Sequence, residues 1–180
     1  MHNRFSLSFN LLWVLWGFVT LLGFTIGFLT GFASLSGLLI GIGQWTVLRT
    51  KLPSTWLWIL ATAVGFPVGI LLGTIDLIAL GWTIQFPYVW TTHLFIASVT
   101  GAVIGLLQWL ALYKKFDGAG RWVFVSAVSW GVGLTTALSV FGTNQSNFGF
   151  GILLGMLVGA ISGAFVESVL GQPGLTHESI

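Results

Sequence analysis

Two glutamines in a repeated phrase are the most regular candidates for chemistry in this sequence. Residues 41–51 read GIGQWTVLRTK and residues 105–115 read GLLQWLALYKK, which places Gln44 and Gln108 about one turn inside the ends of apolar segments. A buried amide without hydrogen-bond partners costs about 1–3 kcal/mol. We therefore expect each glutamine to hydrogen-bond a neighbouring helix end or a loop carbonyl, and so to hold helices together.

Glu167 extends this pattern to a possible polar site. Small residues spaced by four along the last apolar segment align Val166 and Glu167 with the two Gln-Trp pairs. Ionisable groups inside membrane segments are costly and commonly functional, so Gln44, Gln108 and Glu167 could bind a cation or a polar headgroup near the cytoplasmic face. The simpler interpretation is that Glu167 pairs with a basic residue at the membrane interface, namely Arg49, Lys115 or Arg121.

Asp76 and His93 form a second candidate pair. They flank the same connection between two apolar segments, and the simplest interpretation is one ion pair across that connection. Alternatively, His93 is an axial ligand to a tetrapyrrole, or it handles protons together with Asp76, because imidazole titrates near neutral pH. A lone histidine favours the ion pair over the ligand.

The composition identifies the kind of protein that must position these residues. A soluble domain carries about 25% charged residues, whereas this chain of 180 residues carries 6% and is 56% hydrophobic. We therefore expect an integral membrane protein. The chain contains no cysteine, which excludes disulfides, thiolate metal sites and cysteine nucleophiles. Protease, hydrolase and Walker-type motifs are absent, so we do not expect an enzyme. The few basic residues serve membrane topology, and we expect no nucleic-acid partner.

Loop signals divide the chain into six apolar stretches, each near the ~20 residues that span a membrane. The first break, near Thr30 and Gly31, is the tightest. A single helix over 10–48 would be nearly twice as long as the bilayer is thick, so we favour two helices there. The predicted fold is all-α, with one transmembrane domain over 1–180 and spans at about 10–29, 32–48, 56–75, 89–112, 122–141 and 150–170.

The basic residues provide an independent test of the number of spans. With six spans, all of them fall on one side of the membrane: Arg4, Arg49, Lys51, Lys114, Lys115 and Arg121. Five spans would break this pattern. The positive-inside rule then places both termini in the cytoplasm.

An internal repeat organises the predicted spans. Residues 37–69 and 101–133 share 12 identities in 33 positions without gaps, and such self-similarity indicates a repeated structural unit. Small residues four apart let helices pack closely, and an even number of spans per unit makes the repeats parallel. We therefore predict three helical hairpins about a pseudo-threefold axis, with the even helices as an inner core. The residues that pack this core are Ala33-Gly37-Gly41, Ala97-Gly101-Gly105 and Gly155-Gly159-Gly163.

The repeated phrase resembles a known family. A GxxxGxxQWxxLR segment, followed by a helix that begins with Trp and carries a G-aromatic-xx-G pattern, is similar to a family of uncharacterised small bacterial membrane proteins, frequent in photosynthetic lineages. The resemblance covers about Leu12 to Val169 and departs where Tyr113 stands in the place of Arg49. It supports the hairpin architecture and implies a location in a bacterial inner membrane or an internal photosynthetic membrane. It implies no activity.

Tryptophans mark the predicted membrane boundaries. Five of them cluster near the cytoplasmic ends of the spans, as an aromatic belt does: Trp45, Trp56, Trp58, Trp109 and Trp122. Trp130 lies near the middle of its span and is expected to pack against a neighbouring helix or a lipid-like ligand.

Three classes of function remain open from the sequence. The first is a non-enzymatic scaffold, an accessory subunit or an assembly factor of a larger membrane complex, which would contact the lipid bilayer and other subunits or further copies of itself. The second is a lipid- or pigment-binding protein, in which Trp, Phe and His93 hold the ligand between hairpins. The third is a small transporter or channel.

Overall fold

A computed structural model describes residues 9–30, 33–52, 55–83, 89–115, 118–142 and 148–170, except for the side chains of 9–10, 33–34, 73–74, 76–83 and 89–90. These described residues form six α-helices and no strand. The helices are α1 (Phe9–Leu29), α2 (Ala33–Leu48), α3 (Leu57–Thr83), α4 (Val89–Leu112), α5 (Arg121–Phe141) and α6 (Phe148–Leu170).

The helix boundaries agree with the sequence in five of the six segments, to within two residues. α1 ends at Leu29 and α2 begins at Ala33, on either side of the predicted tight break, and Gly31 itself lies outside the described residues. α3 continues beyond the predicted span, past residue 75 to Thr83.

Within the described residues, four helices contain a stretch that is long and apolar enough to cross a membrane, which supports a membrane protein. These stretches are Leu11–Leu29, Thr91–Leu112, Arg121–Phe141 and Phe148–Leu170. The apolar segments of α2 and α3 whose side chains are described, Leu35–Leu48 and Leu57–Leu72, are shorter than a full span.

The six helices close into a ring. Each helix packs against the helices before and after it in the chain, and α6 packs against α1. Among the described residues no other pair of helices has its backbones in contact. The even helices therefore do not pack against one another, and the prediction of an inner core made of even helices is wrong. The physical reason is that these glycines face the adjacent helix of the ring and not the centre of the ring. Gly41 of α2, for example, lies against Ile59 and Thr62 of α3, so the small residues narrow the distance between ring neighbours.

The odd helices fill the centre of the ring instead. In each of them an aromatic, a hydroxyl and a second aromatic residue follow one another at intervals of four, which places all three on one helix face. The first aromatics form a Trp layer, with ring centroids 5.2–5.8 Å apart: Trp16, Trp58 and Trp122. The second aromatics form a Phe layer, with centroids 5.1–5.8 Å apart: Phe24, Phe66 and Trp130.

This arrangement corrects part of the aromatic-belt prediction. Trp58 is 0% exposed and Trp122 is 3% exposed, so neither can mark the membrane interface from the lipid side. Trp45 and Trp109 are half-buried and Trp56 is exposed, as residues of a belt would be. The packing of Trp130 against neighbouring helices is confirmed, because its ring lies against those of Phe24 and Phe66.

Candidate functional site

Gln108 joins three helices through its side-chain amide. Its Nε2 donates to Thr62 Oγ1 on α3 at 2.8 Å, and its Oε1 accepts from Trp122 Nε1 on α5 at 2.8 Å. The side chain is 3% exposed. Two hydrogen bonds to two different helices thus connect α4 to both of its neighbours.

Gln44 has the same kinds of partner. Its Nε2 donates to Thr20 Oγ1 on α1 at 3.0 Å, and its Oε1 accepts from Trp58 Nε1 on α3 at 3.1 Å. The partners are therefore side chains on neighbouring helices, and not the helix end or loop carbonyl that the sequence predicts. As an indole nitrogen can only donate, the amide oxygen must face the tryptophan and the amide nitrogen must face the threonine.

The threonine hydroxyls are oriented by their own helices. Thr20 Oγ1 donates to the carbonyl of Trp16, and Thr62 Oγ1 donates to the carbonyl of Trp58, both at 2.8 Å. A hydroxyl has one hydrogen and two lone pairs, and here the hydrogen is used by the carbonyl four residues earlier. The oxygen is then left as an acceptor, which is what a glutamine Nε2 requires.

Ser162 has a comparable role on α6. Trp16 Nε1 donates to Ser162 Oγ at 3.0 Å, and this hydroxyl donates to the carbonyl of Val158 at 2.6 Å. A second indole also reaches α6, because Trp13 Nε1 donates to the carbonyl of Ala160 at 2.9 Å. The contact between α6 and α1 is thus made with a shorter polar side chain and an additional bond to the backbone.

Ser126 of α5 stands where α1 and α3 carry a threonine, four residues after the tryptophan of the Trp layer. Its Oγ donates across the helix contact to the carbonyl of Gly101 at 2.7 Å. In the described part of the chain no hydrogen bond joins Ser126 to Ser162. α6 therefore lacks the side-chain hydrogen bond to the preceding odd helix that Gln44 makes to α1 and Gln108 makes to α3.

A small cavity lies between the Trp layer and the Phe layer. The space open to the centres of water-sized molecules is about 30 Å³. All six helices line it, and α5 contributes most. Its polar lining consists of Thr20, Gln44, Thr62, Gln108, Ser126, Ser129 and Ser162.

The predicted polar site is brought together only in part. Gln44 and Gln108 line the cavity, but Glu167 is not among the lining residues, and Ser162 is. Glu167 is 6% exposed, and its Oε1 has no hydrogen-bond partner among the described residues. None of its predicted basic partners is within ion-pair distance in that part of the chain.

Sequence reasoning missed the hydroxyl residues of this site, although the sequence contains two signals for them. Gln44 and Gln108 each follow a glycine by seven residues, and Ser162 follows Gly155 by the same interval. Three glycines four apart fit the repeat in two registers. One register aligns Ser162 with the glutamines, and the other, shifted by one helical turn, aligns Val166 and Glu167 with the Gln-Trp pairs. The second signal is a threonine or serine four residues after each tryptophan of the Trp layer.

The glycines singled out as packing residues lie at close helix contacts. A Cβ added at Gly37 would be 2.6 Å from Phe66 Cβ, one at Gly101 would be 2.6 Å from Ser126 O, and one at Gly155 would be 2.6 Å from Leu21 Cα. Similar contacts of 2.7–3.1 Å would arise at Gly41, Gly105, Gly159 and Gly163. Real Cβ atoms almost never come closer than 3.0 Å, so Gly37, Gly101, Gly105, Gly155 and Gly159 require glycine at the present helix spacing, whereas at Gly41 and Gly163 a neighbouring group would have to shift slightly.

The second predicted pair is only partly described. His93 is half-buried near the start of α4, whereas the side chain of Asp76 lies outside the described residues. Their ion pair, and a ligand role for His93, therefore stay predictions. No group of three or more histidine, aspartate or glutamate side chains in the described part of the chain could hold a metal ion.

The site and fold were compared with known proteins. No family model, curated protein or solved structure matches the chain. The resemblance to the small bacterial membrane family therefore stays a prediction. What the fold and composition define is a class, a helical membrane protein whose helices enclose a buried polar layer.

Proposed function

We propose that the chain is a six-span, non-enzymatic membrane scaffold, which acts as an accessory subunit or assembly factor of a larger membrane complex. The observation that carries this proposal is how the interior is used. The side-chain amides of Gln44 and Gln108 each hydrogen-bond to two neighbouring helices. The most regular polar residues of the sequence therefore already have partners within the chain.

The size of the interior cavity supports the same conclusion. Pockets for small molecules and cofactors measure about 300–1,000 Å³, and the space between the two aromatic layers is about 30 Å³. A pigment or a lipid does not fit there. We therefore favour a scaffold over a protein that holds such a ligand at its centre.

The outer surface offers what a scaffold needs. Large apolar side chains point outward around the ring, and Phe124 is 72% exposed, Phe18 is 55% exposed and Met156 is 54% exposed. Lipid tails or the helices of another subunit can cover such side chains, since both are apolar. The partners we propose are the bilayer and other membrane subunits.

The proposed architecture is three parallel hairpins, α1–α2, α3–α4 and α5–α6. Its support is the recurrence of contacts: the indoles of Trp58 and Trp122 donate to the glutamine that precedes each of them, while the indole of Trp16 donates to Ser162. Both glutamines donate to a threonine one hairpin earlier.

The proposed orientation places the Trp layer toward the cytoplasm. Basic residues follow α2 and α4, where Arg49 lies 4.9 Å over the ring of Trp45 and Lys114 lies 5.2 Å over the ring of Tyr113. Interfacial aromatics beside basic side chains are typical of a cytoplasmic membrane boundary.

The scaffold hypothesis is tested by the mass of the native particle. The tagged chain, expressed at its normal level in its own membrane, would be released in mild detergent and weighed by native mass spectrometry. We expect a defined complex that contains a second membrane protein in fixed ratio, or several copies of this chain. A particle of one 19.4 kDa chain with lipid alone would contradict the proposal.

The six spans are tested by cysteine labelling, because the chain has no cysteine of its own. Single variants Lys115→Cys and Thr30→Cys would be treated with a membrane-impermeant maleimide. We expect Thr30→Cys to react in intact cells and Lys115→Cys to react only in inverted vesicles. If both variants react from the same side of the membrane, the six-span topology is wrong. The test of the scaffold hypothesis by native mass spectrometry would not be affected.

A further inference from the structure

The polar layer keeps hydrogen-bonding capacity that the protein does not use. Each glutamine Nε2 has two hydrogens, and one of them is used, by Thr20 in the case of Gln44 and by Thr62 in the case of Gln108. The hydroxyls of Ser126 and Ser162 use their hydrogens on backbone carbonyls and have free lone pairs. Donors and acceptors therefore remain around the same cavity.

This remaining capacity selects the chemistry of an occupant. No charged side chain lines the cavity, so neither an anion nor a cation would be compensated there. An occupant must accept from amide N–H groups, donate to serine oxygens and be very small. Water satisfies all three requirements, and a polar cavity needs about 10–15 Å³ of this kind of space for each water molecule.

We propose that the cavity is a binding site for about two ordered water molecules, which take the place of a third glutamine amide. The site exists because α6 carries Ser162 where α2 and α4 carry Gln44 and Gln108. A serine side chain reaches two atoms less far than that of glutamine, so it accepts from Trp16 but does not reach Ser126. Water would bridge Ser162 and Ser126 and would accept the second hydrogen of a glutamine amide.

The aromatic layers make this water long-lived. Trp122 of the Trp layer lines the cavity on one side, and it is 3% exposed. The Phe layer lines it on the other side, where Phe24 and Phe66 are each 1% exposed. Every residue that lines the cavity is buried, so water held there should exchange with bulk water more slowly than surface water does.

The experiment is a measurement of magnetisation transfer from water to the side-chain amides of Gln44 and Gln108 by NMR, on the full chain in detergent micelles. We expect cross-peaks of the sign that long-lived water gives. In Ser162→Gln, the new amide should displace the water, so that these cross-peaks are lost and the melting temperature rises by about 2–4 °C.

The matched control is Ser168→Gln, which adds the same amide to an exposed position on the same helix and should keep both the cross-peaks and the melting temperature. Absence of the cross-peaks in the unmodified chain would overturn the proposal, as would their persistence in Ser162→Gln or their loss in the control. If Ser162→Gln does not fold, the unmodified chain still decides whether the water is present.

Discussion

The contact between α6 and α1 is built differently from the contacts between α2 and α3 and between α4 and α5. At the latter two, a glutamine accepts from a tryptophan of the next helix, at 3.1 Å for Gln44 and 2.8 Å for Gln108. At the former, Ser162 accepts from Trp16, and Trp13 adds a bond to the carbonyl of Ala160.

The backbones also differ at these contacts. α2 turns two glycines toward α3, whereas α6 turns four toward α1, at Gly151, Gly155, Gly159 and Gly163. In a membrane, close backbone packing and interhelical hydrogen bonds both stabilise helix pairs. The comparison teaches that helix pairs of one ring can be joined in two ways. A glutamine amide bridges α2 to α3 and α4 to α5, whereas a glycine-lined contact joins α6 to α1.

The largest expected effect comes from breaking the glycine-lined contact. A Cβ at Gly159 would lie 2.9 Å from Gly17 Cα, while a Cβ at Gly17 has no atom of a neighbouring helix nearer than 3.9 Å. We expect Gly159→Ala to lower the free energy of unfolding by about 3 kcal/mol relative to Gly17→Ala, measured by reversible unfolding with SDS in mixed micelles.

Because both variants replace a helical glycine by alanine, the gain in helix propensity is similar in the two, and their difference isolates the contact. Equal stabilities would mean that α6 and α1 are not packed backbone to backbone.

Breaking a glutamine junction should have the next largest effect. Gln108→Leu leaves Thr62 Oγ1 without its donor and Trp122 Nε1 without its acceptor, both in the buried layer. We expect a loss of about 2 kcal/mol in the same unfolding measurement.

Thr46→Leu is the control for this loss, since Thr46 is an exposed polar residue and should change the stability by less than about 0.5 kcal/mol. A Gln108→Leu protein as stable as this control would show that the amide bonds contribute nothing.

The smallest effect is expected at the serine junction. Ser162→Ala removes one acceptor, that of Trp16 Nε1, and leaves the bond from Trp13 to the backbone intact. We expect a loss of about 1 kcal/mol, with Ser168→Ala on the exposed side of α6 as control. A loss larger than that of Gln108→Leu would reverse the comparison between the junctions.

The sequence predicts the helices of this protein better than it predicts their order in space. Hydropathy and loop signals locate each apolar stretch, but they contain no information on which helix lies beside which, so the ring and its odd-helix centre were missed. The Gln residues were identified because a buried amide must have partners. The hydroxyl partners of these glutamines were not identified, because a hydroxyl residue four positions after a tryptophan is common in any helix.

Glu167 illustrates a different limit. Glycines at 155, 159 and 163 fit the repeat in two registers, and the choice between Ser162 and Val166-Glu167 depends on which register meets α1. That contact is a property of the folded ring, so sequence spacing alone could not decide it.

A double-mutant cycle on Gln108 and Trp122 is the most direct test that the glutamines of the repeated phrase join helices. Unfolding free energies would be measured for Gln108→Leu, for Trp122→Phe, which keeps a ring in the Trp layer but removes the indole N–H, and for the double variant. We predict that the two changes are coupled by about 1 kcal/mol. A coupling energy of zero would contradict the structural role of Gln108.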